Sequence, residues 1–231
     1  GTVDGPGIRY LLFLAGCNLG CSFCHNPDTW VRTGKMISIE EIIEEIKKYR
    51  VFYDKSGGGI TVSGGEPLLQ AEFVSALFAK CKELGIHTAL DTRGFFAQAE
   101  LDKVLPYTGL IMFSLKSADE DVHRQLTGKD NALILQNLLY AASKTQLILR
   151  YVIIPGVNDS ETALSKLAEV IKKLPSNVKI DLLPYHTMGK TKWQALQIPY
   201  KLNTVPDASK ADIQKVKSFF TKAGINNDYV S

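Results

Sequence analysis

Short apolar, β-branched runs alternate along the chain with segments in which apolar residues recur every three or four positions. The short runs predict six β-strands, namely Arg9–Leu14, Gly59–Ser63, His87–Asp91, Leu110–Ser114, Leu147–Ile154 and Lys179–Leu183. Because strands that alternate with helices form right-handed βαβ units, this pattern predicts a mostly parallel sheet. Six units are too few for a closed eightfold barrel. We therefore expect an α/β fold, a partial (β/α)6 barrel.

The longer periodic segments predict amphipathic helices. The first begins after Ser38, which together with Glu41 matches the pattern of a capping box. Further apolar faces run from Phe73 to Leu84 and from Leu164 to Leu174, and a last helix is predicted near Ala211 to Lys222. Between Asn26 and Gly57 we expect one ordinary helix.

Chemically distinctive residues follow the predicted strands at the points where these strands end. They are Cys17, Gly64-Gly65-Glu66, Asp91, Lys116 and His186. Since parallel strands end at one edge of a sheet, and ligands bind there in such folds, the sequence predicts a site at this edge. Arg150 lies within the fifth strand, where it either forms a structural salt bridge or binds a carboxylate from inside the barrel.

Charge and composition narrow the functional class only slightly. The 231 residues include 27 basic and 24 acidic side chains, for a net charge of +3. So small an excess gives no argument for nucleic acid or anionic membrane as a partner. No apolar run approaches the roughly 18 residues that span a bilayer. We expect residues 1–231 to form a single domain, with a short N-terminal segment preceding Gly1, because the chain begins inside a motif.

Three of the four cysteines crowd into one short stretch, spaced C-x3-C-x2-C at Cys17, Cys21 and Cys24. A disulfide framework spreads its cysteines, so this crowding favours a reducing, cytoplasmic compartment. Three thiolates in a loop can hold three irons of a [4Fe–4S] cube, which leaves the fourth iron open to a substrate. Gly16 and Gly20 are expected to let the backbone wrap closely around such a cluster.

Other uses of these cysteines are weaker. Zinc needs a fourth ligand, for which His25 or Cys81 would be available, but Cys81 fits the apolar face of a helix. A haem attachment pattern, C-x-x-C-H, and a thioredoxin-like redox pair each use only Cys21 and Cys24. Both leave Cys17 without a role, so the iron–sulfur interpretation is favoured.

Two further glycine-containing motifs give weaker signals. Gly64-Gly65-Glu66 is either a tight turn or a backbone edge with a carboxylate that binds an ammonium group. Gly189-Lys190-Thr191 resembles the end of a phosphate-binding loop. That motif requires its first glycine where this chain has Pro184, so the match is rejected.

Taken in their order along the chain, the sequence motifs closely resemble those of the pyruvate formate-lyase activating enzymes, a family of radical S-adenosylmethionine (SAM) enzymes. The resemblance rests on Gly1-Thr2-Val3-Asp4-Gly5-Pro6-Gly7, the cysteine triad with His25-Asn26, Gly57-Gly58-Gly59, Ser63-Gly64-Gly65-Glu66 and Leu183-Pro184-Tyr185-His186. It implies the radical SAM type of partial barrel. It also implies reductive cleavage of SAM at a [4Fe–4S] cluster, followed by removal of hydrogen from a glycine Cα of pyruvate formate-lyase to form a glycyl radical.

The same resemblance implies partners and site residues. The electron donor would be a flavodoxin or a similar carrier, and the chain would act as a monomer. Cys17, Cys21 and Cys24 resemble the cluster ligands. The residues that resemble the SAM-binding shell are Phe23, Cys24, His25, Gly64, Gly65, Glu66, Asp91, Ser114, Leu115, Lys116, Arg150 and His186.

The chain departs from the family pattern at two positions. The family reads Asp-Leu-Lys where this chain has Ser114-Leu115-Lys116, and Asp-Thr-Asn-Gly where this chain has Arg93. In the family, acids near the SAM carboxylate help to hold a monovalent cation. We hypothesise that Arg93, or a weaker cation site, compensates for the neutral Ser114. Two other functions compete with this one: a radical SAM enzyme acting on a small molecule or peptide, and a non-enzymatic metal-binding module.

Overall fold

The computed structural model describes residues 1–225. Its central feature is a six-stranded parallel sheet in which the strands lie side by side in chain order. The strands are β1 (Arg9–Leu14), β2 (Gly59–Gly64), β3 (His87–Thr92), β4 (Leu110–Ser114), β5 (Leu147–Ile153) and β6 (Lys179–Pro184). All six predicted strands are confirmed, to within one residue at either end. Since β1 and β6 are the two edges, the barrel is open, as the count of βα units predicts.

Nine α-helices accompany the sheet within residues 1–225. They are α1 (Ile39–Lys47), α2 (Arg50–Ser56), α3 (Ala71–Glu83), α4 (Gln98–Val104), α5 (Glu120–Thr127), α6 (Ala132–Lys144), α7 (Glu161–Lys173), α8 (Lys190–Ala195) and α9 (Lys210–Lys222). The capping box of Ser38 and Glu41 is confirmed. The expectation of one helix between Asn26 and Gly57 is wrong. The apolar stripe of α1 ends at Ile46, and after a break at Tyr49 the chain forms α2, which buries Tyr53 instead. None of the helices in this part of the chain has the length and apolar character needed to cross a membrane.

Alternation along the strands separates a helix-facing core from the barrel interior. In β5, Leu147, Leu149, Tyr151 and Ile153 are buried, whereas the intervening residues are only partly buried. Arg150 is one of these intervening residues, and it lies in register with Ser114 of β4 and Asp181 of β6. Because side chains two apart on a strand share a face, the inward face of β5 carries a charge at the level where the neighbouring strands also place polar groups.

The lower end of the barrel is filled by a buried arginine. Arg9 is 2% exposed, and its guanidinium donates to Thr61 Oγ1 at 2.9 Å, lies 3.0 Å from His87 Nδ1 and also donates to the carbonyl of Ile60. Burial lowers the pKa of Arg9 to about 10. Above it, Ala89, Leu110, Met112 and Ile148 form a small apolar layer. The interior is therefore filled near the amino ends of the strands, and a cavity opens towards their carboxyl ends.

Candidate active site

The open end of the barrel contains a cavity of about 410 Å³. Its walls come from the ends of the strands, from residues 16–30 after β1, which we call the cluster loop, and from the segment after β6. Among the residues that line it are Cys17, Cys21, Phe23, Cys24, His25, Gly64, Gly65, Asp91, Ser114, Lys116, Arg150 and His186. The structure thus brings together most of the residues that the sequence places at this edge. It does not bring the side chains of Glu66 and Leu115 to the cavity.

The cluster loop is closed at its base by backbone pairing. Gly16 N–H donates to Thr29 O at 2.8 Å, and Cys17 N–H donates to Trp30 O at 3.1 Å. Gly16 has a φ of +108°, which favours glycine. Gly20 has no such requirement, and a Cβ there would meet only the Thr127 carbonyl oxygen, at 3.9 Å. Of the two glycines expected to shape the loop, only Gly16 has a conformation that requires glycine.

The three cysteines present a donor set that fits an iron–sulfur cluster. None is in a disulfide; Cys21 is buried, and Cys17 and Cys24 are partly buried. Burial raises the pKa of Cys21 to about 11 and also raises that of Cys17. Such thiols bind as thiolates when a metal supplies compensating positive charge. Across residues 1–225, no three His, Cys, Asp or Glu side chains converge on one ion site. A cube does not need this, because each thiolate binds a separate iron.

The Gly64-Gly65 pair is required by the backbone beside it. Gly64 has a φ of +106°, and a Cβ there would collide with the backbone of Leu14. A Cβ on Gly65 would collide with the carbonyl of Gly16, which accepts a hydrogen bond from Glu66 N–H at 2.8 Å. The two glycines let the end of β2 pass directly under the base of the cluster loop.

Replacing Gly65 by alanine is therefore expected to destabilise the protein by about 1–3 kcal/mol, the usual cost of overpacking, and to lower its iron content. The added methyl group would push the base of the cluster loop away from β2. Gly20→Ala is the matched control in the same loop, and it is expected to change stability by less than about 0.5 kcal/mol. Thermal unfolding and iron analysis of anaerobically purified protein measure both effects. Equal stability of the two variants would contradict this account.

Glu66 has an internal structural role. Its carboxylate accepts from Thr92 Oγ1 at 2.8 and 2.9 Å, from Arg93 N–H at 2.9 Å and from Leu68 N–H at 3.2 Å. The residue is only 1% exposed. The Glu66 side chain therefore does not line the cavity in this structure, and its binding of an ammonium group stays a prediction. Glu66 is turned beneath the cavity because it caps the turn at Pro67–Gln70 and fixes the loop after β3.

The loop after β3 is also held from the outside. Asn137 on α6 donates to the carbonyls of Gly94 and Phe96, each at 2.8 Å. A Cβ on Gly94, whose φ is +84°, would collide with the ring of Phe113. These contacts and the Glu66 hydrogen bond fix the backbone of Arg93, so its side chain is directed into the cavity.

A carboxylate and two guanidinium groups form the polar floor of the cavity. Asp91 Oδ2 accepts from Ser63 Oγ at 2.6 Å and lies 3.6 Å from Arg93 Nη2, while Oδ1 is 4.0 Å from Arg150 Nη1. Burial opposes ionisation of Asp91, but these neighbours outweigh it and hold the pKa of that carboxyl below its usual value. Arg150 Nε is also 3.6 Å from Asp181 Oδ2. Arg150 therefore forms ion pairs and also faces the cavity, and its binding of a ligand carboxylate stays a prediction.

Lys116 adds a third cation to the same space. Its ammonium lies 5.4 Å from the centroid of the Phe23 ring, close enough for a cation–π contact. Burial lowers the pKa of Lys116. Leu115 is 1% exposed and packs into the core behind the cavity, so its side chain does not line the cavity and its place in the SAM shell stays a prediction. A residue next to an inward-facing one on a strand points to the other side of the sheet.

Two histidines lie at the rim. The ring centroids of His25 and His186 are 4.3 Å apart, and His25 Nε2 is 3.4 Å from the carbonyl oxygen of His186. Burial and the neighbouring His186 lower the pKa of His25. The last predicted strand and the cluster loop therefore meet at this pair.

Sequence analysis missed two side chains that hold the site together. Ser63 stands in the sequence only as the residue before Gly64-Gly65, yet its Oγ donates to Asp91 Oδ2. Trp193 is 1% exposed on α8, and its indole Nε1 donates to Cys24 O at 2.7 Å. The available signal was a lone large aromatic residue among the polar side chains of Lys190–Ala195.

Comparison with known proteins identifies the family. Residues 11–168 match the model of the radical SAM superfamily. The chain is 42% identical to the pyruvate formate-lyase 1-activating enzyme of Escherichia coli, over 97% of this chain and 93% of that protein. It is 46% identical to the pyruvate formate-lyase-activating enzyme of Listeria monocytogenes, over 89% and 86% of the two chains.

A solved structure supports the same assignment. The crystal structure of a domain of pyruvate-formate lyase-activating enzyme from Bacteroides vulgatus superposes with a TM-score of 0.61 and 30% identity, covering 75% of this chain and 98% of that one. The cysteine triad at the mouth of an open six-stranded barrel agrees with both comparisons. The chain belongs to the radical SAM superfamily and, within it, to the family of pyruvate formate-lyase activating enzymes.

Proposed function

We propose that this protein activates a pyruvate formate-lyase by generating a glycyl radical on it. The observation that carries the proposal is the placement of three free cysteines against a cavity that also contains three cationic side chains and two carboxylates. The [4Fe–4S] cluster and SAM, once bound, would supply the reductive cleavage and the hydrogen abstraction from a glycine Cα. The sequence identity to activating enzymes over nearly the whole chain supports this choice of partner.

The residues of this chain would hold and orient those groups. Cys17, Cys21 and Cys24 would each bind one iron and leave the fourth accessible from the cavity. The three cations Arg150, Lys116 and Arg93 outnumber the two lining carboxylates, those of Asp91 and Asp4, so the cavity favours an anionic carboxylate such as that of SAM. The backbone edge at Gly64-Gly65, rather than the Glu66 side chain, would meet the amino group.

The remaining site residues would enclose the cofactor. Phe23, His25 and His186 would border its adenine side, and Ser114 lies beside Arg150 on the inner face of the sheet. A site that shields its contents from water protects reactive species from side reactions. With Leu115 and Glu66 outside the cavity, their contribution would be to support the neighbouring strand ends.

We further propose the setting in which the protein acts. It would work as a monomer in the cytoplasm, with residues 1–231 forming one domain, and would receive its electron from a flavodoxin or a similar carrier. Residues 226–231 of that domain lie outside the described part of the chain.

The decisive experiment is anaerobic incubation of the reconstituted protein with SAM, a reductant and pyruvate formate-lyase, followed by electron paramagnetic resonance spectroscopy. We expect a glycyl-radical doublet, with methionine formed in step with it. Pyruvate formate-lyase in which the target glycine is replaced by alanine is the matched control and is expected to give no doublet. SAM cleavage without a doublet on the unmodified partner would instead indicate a radical SAM enzyme with another substrate.

A further inference from the structure

The cluster loop is fastened separately at each of its three cysteines. At Cys17, the backbone N–H donates to Trp30 O at 3.1 Å, within the loop itself. On both sides of Cys21, backbone groups bind the last turn of α5: Gly20 N–H donates to Thr127 O at 3.2 Å and Ser22 N–H donates to Leu126 O at 2.8 Å. These two attachments lie within residues 11–168, the part of the chain that matches the superfamily model.

At Cys24 the backbone N–H donates to Cys21 O at 3.1 Å within the loop, but the carbonyl is held from a different part of the chain. Its carbonyl accepts the 2.7 Å hydrogen bond from Trp193 Nε1. The indole is held between two aromatic rings, with centroids 5.1 Å from Trp30 and 5.2 Å from Tyr200, both packed edge to face. Edge-to-face packing of this kind fixes the plane of the ring. The indole N–H therefore points in a fixed direction, towards the carbonyl of Cys24.

Gly189 is the first residue of the Gly189-Lys190-Thr191 motif, which is not a phosphate-binding loop, and the structure gives this glycine another role. Its φ is −69°, which any residue can adopt, so its conformation does not require glycine. A Cβ there would lie 3.0 Å from His25 Cα and 3.3 Å from Cys24 O. Gly189 therefore permits close approach to the same cysteine whose carbonyl Trp193 binds.

Two further contacts join the same segments. His186 O lies 3.4 Å from His25 Nε2, and Lys192 Nζ donates to Asn26 Oδ1 at 2.8 Å and pairs with Asp28 at 3.0 Å. We call residues 186–193 the C-terminal clamp. It lies wholly outside the segment 11–168.

We propose that the C-terminal clamp positions the Cys24 ligand of the cluster, and that Trp193 is its positioning residue. Trp193 acts through Cys24 and does not touch the reacting atoms. This inference rests on the cluster chemistry in the proposed function and is independent of the partner's identity. Groups that hold a metal ligand in place commonly change metal affinity by about 10- to 100-fold when removed.

The donor also affects the charge around the cluster. An indole N–H directed at the carbonyl of a ligand places the positive end of a dipole near the cluster. Hydrogen bonding near the sulfurs and solvent exposure set iron–sulfur potentials, and a nearby positive dipole stabilises the reduced, more negative cluster. Removal of the N–H should therefore shift the midpoint potential to more negative values.

Trp193→Phe in the reconstituted holoenzyme tests the proposal, because phenylalanine keeps a buried ring and removes the N–H. The matched control is Tyr151→Phe, which likewise keeps a buried ring and removes one hydrogen bond to a backbone carbonyl, the 3.1 Å bond from Tyr151 Oη to Asn158 O, outside the cluster loop and the clamp. Release of iron to a chelator under anaerobic conditions is expected to be of the order of tenfold faster in Trp193→Phe. In Tyr151→Phe it is expected to remain at the wild-type rate. The midpoint potential should move only in Trp193→Phe.

Equal rates and equal potentials in the two variants would overturn the proposal. If Trp193→Phe does not assemble a cluster, Gly189→Ala decides the matter, because it removes no buried group and pushes His25 and Cys24 by a few tenths of an ångström. Faster iron release in Gly189→Ala than in the wild type supports the clamp, and an unchanged rate refutes it. Failure of the wild-type protein to hold any cluster would instead overturn the proposed function.

Discussion

Replacing Cys24 by serine is expected to abolish both cluster assembly and SAM cleavage. Cys24 is one of three thiols that line the cavity, and the cube needs one thiolate for each of its three protein-bound irons. A serine hydroxyl is a poor substitute for a thiolate as an iron ligand. Iron and sulfide analysis, the visible spectrum of the anaerobically purified protein and methionine release measure the loss, which should be complete.

The fourth cysteine provides the matched control. Cys81 is fully buried on α3 and belongs to the helix-facing core, where burial raises the pKa of its thiol to about 12. Cys81→Ala is expected to retain a full cluster and wild-type SAM cleavage, with a modest loss of stability from the small cavity that it leaves. SAM cleavage retained in Cys24→Ser would show that the ligand assignment is wrong, and loss of the cluster in Cys81→Ala would show that the control cysteine is a ligand.

The fold was predictable because its signals are local. Apolar runs such as Leu147–Ile153 form strands that are buried against helices, and the capping box at Ser38 depends on two residues three positions apart. The convergence of Cys17, Asp91, Lys116 and His186 was also predictable, since parallel strands end at one edge whatever their side chains. Each of these conclusions needs only periodicity and chain order.

Side-chain direction at the strand ends was not predictable in the same way. Glu66 follows β2 just as Lys116 follows β4. The Glu66 carboxylate nevertheless lies beneath the cavity, hydrogen-bonded to Thr92 Oγ1 and Arg93 N–H, whereas Lys116 enters the cavity. The difference depends on which neighbouring backbone donors are unsatisfied, and this is a property of the assembled loops. Trp193 was missed for a related reason: its partner, Cys24 O, is a backbone atom 169 residues away in sequence.

Arg93→Ala is expected to weaken SAM binding by roughly 10- to 100-fold, which corresponds to the loss of one charged hydrogen bond of about 1.5–3 kcal/mol. Arg93 is only 17% exposed in its side chain and lies 3.6 Å from Asp91 Oδ2. Its guanidinium therefore supplies a fixed positive charge where a monovalent cation would otherwise neutralise an acid. We expect potassium to leave the SAM affinity of the wild-type protein unchanged.

The dissociation constant of SAM, measured on the cluster-loaded protein with and without potassium, distinguishes the fixed charge of Arg93 from a bound monovalent cation. Arg93→Lys keeps the charge and is the matched control, so it should retain most of the affinity. Iron content is measured in every variant, because Arg93 also lies near Cys17 and Cys24. The wild-type protein and both Arg93 variants keep the backbone N–H that donates a hydrogen bond to Glu66, so the loop after β3 should keep its position. A strong potassium dependence in the wild-type protein would show that Ser114 and Asp91 still share a cation site, and that Arg93 does not replace it.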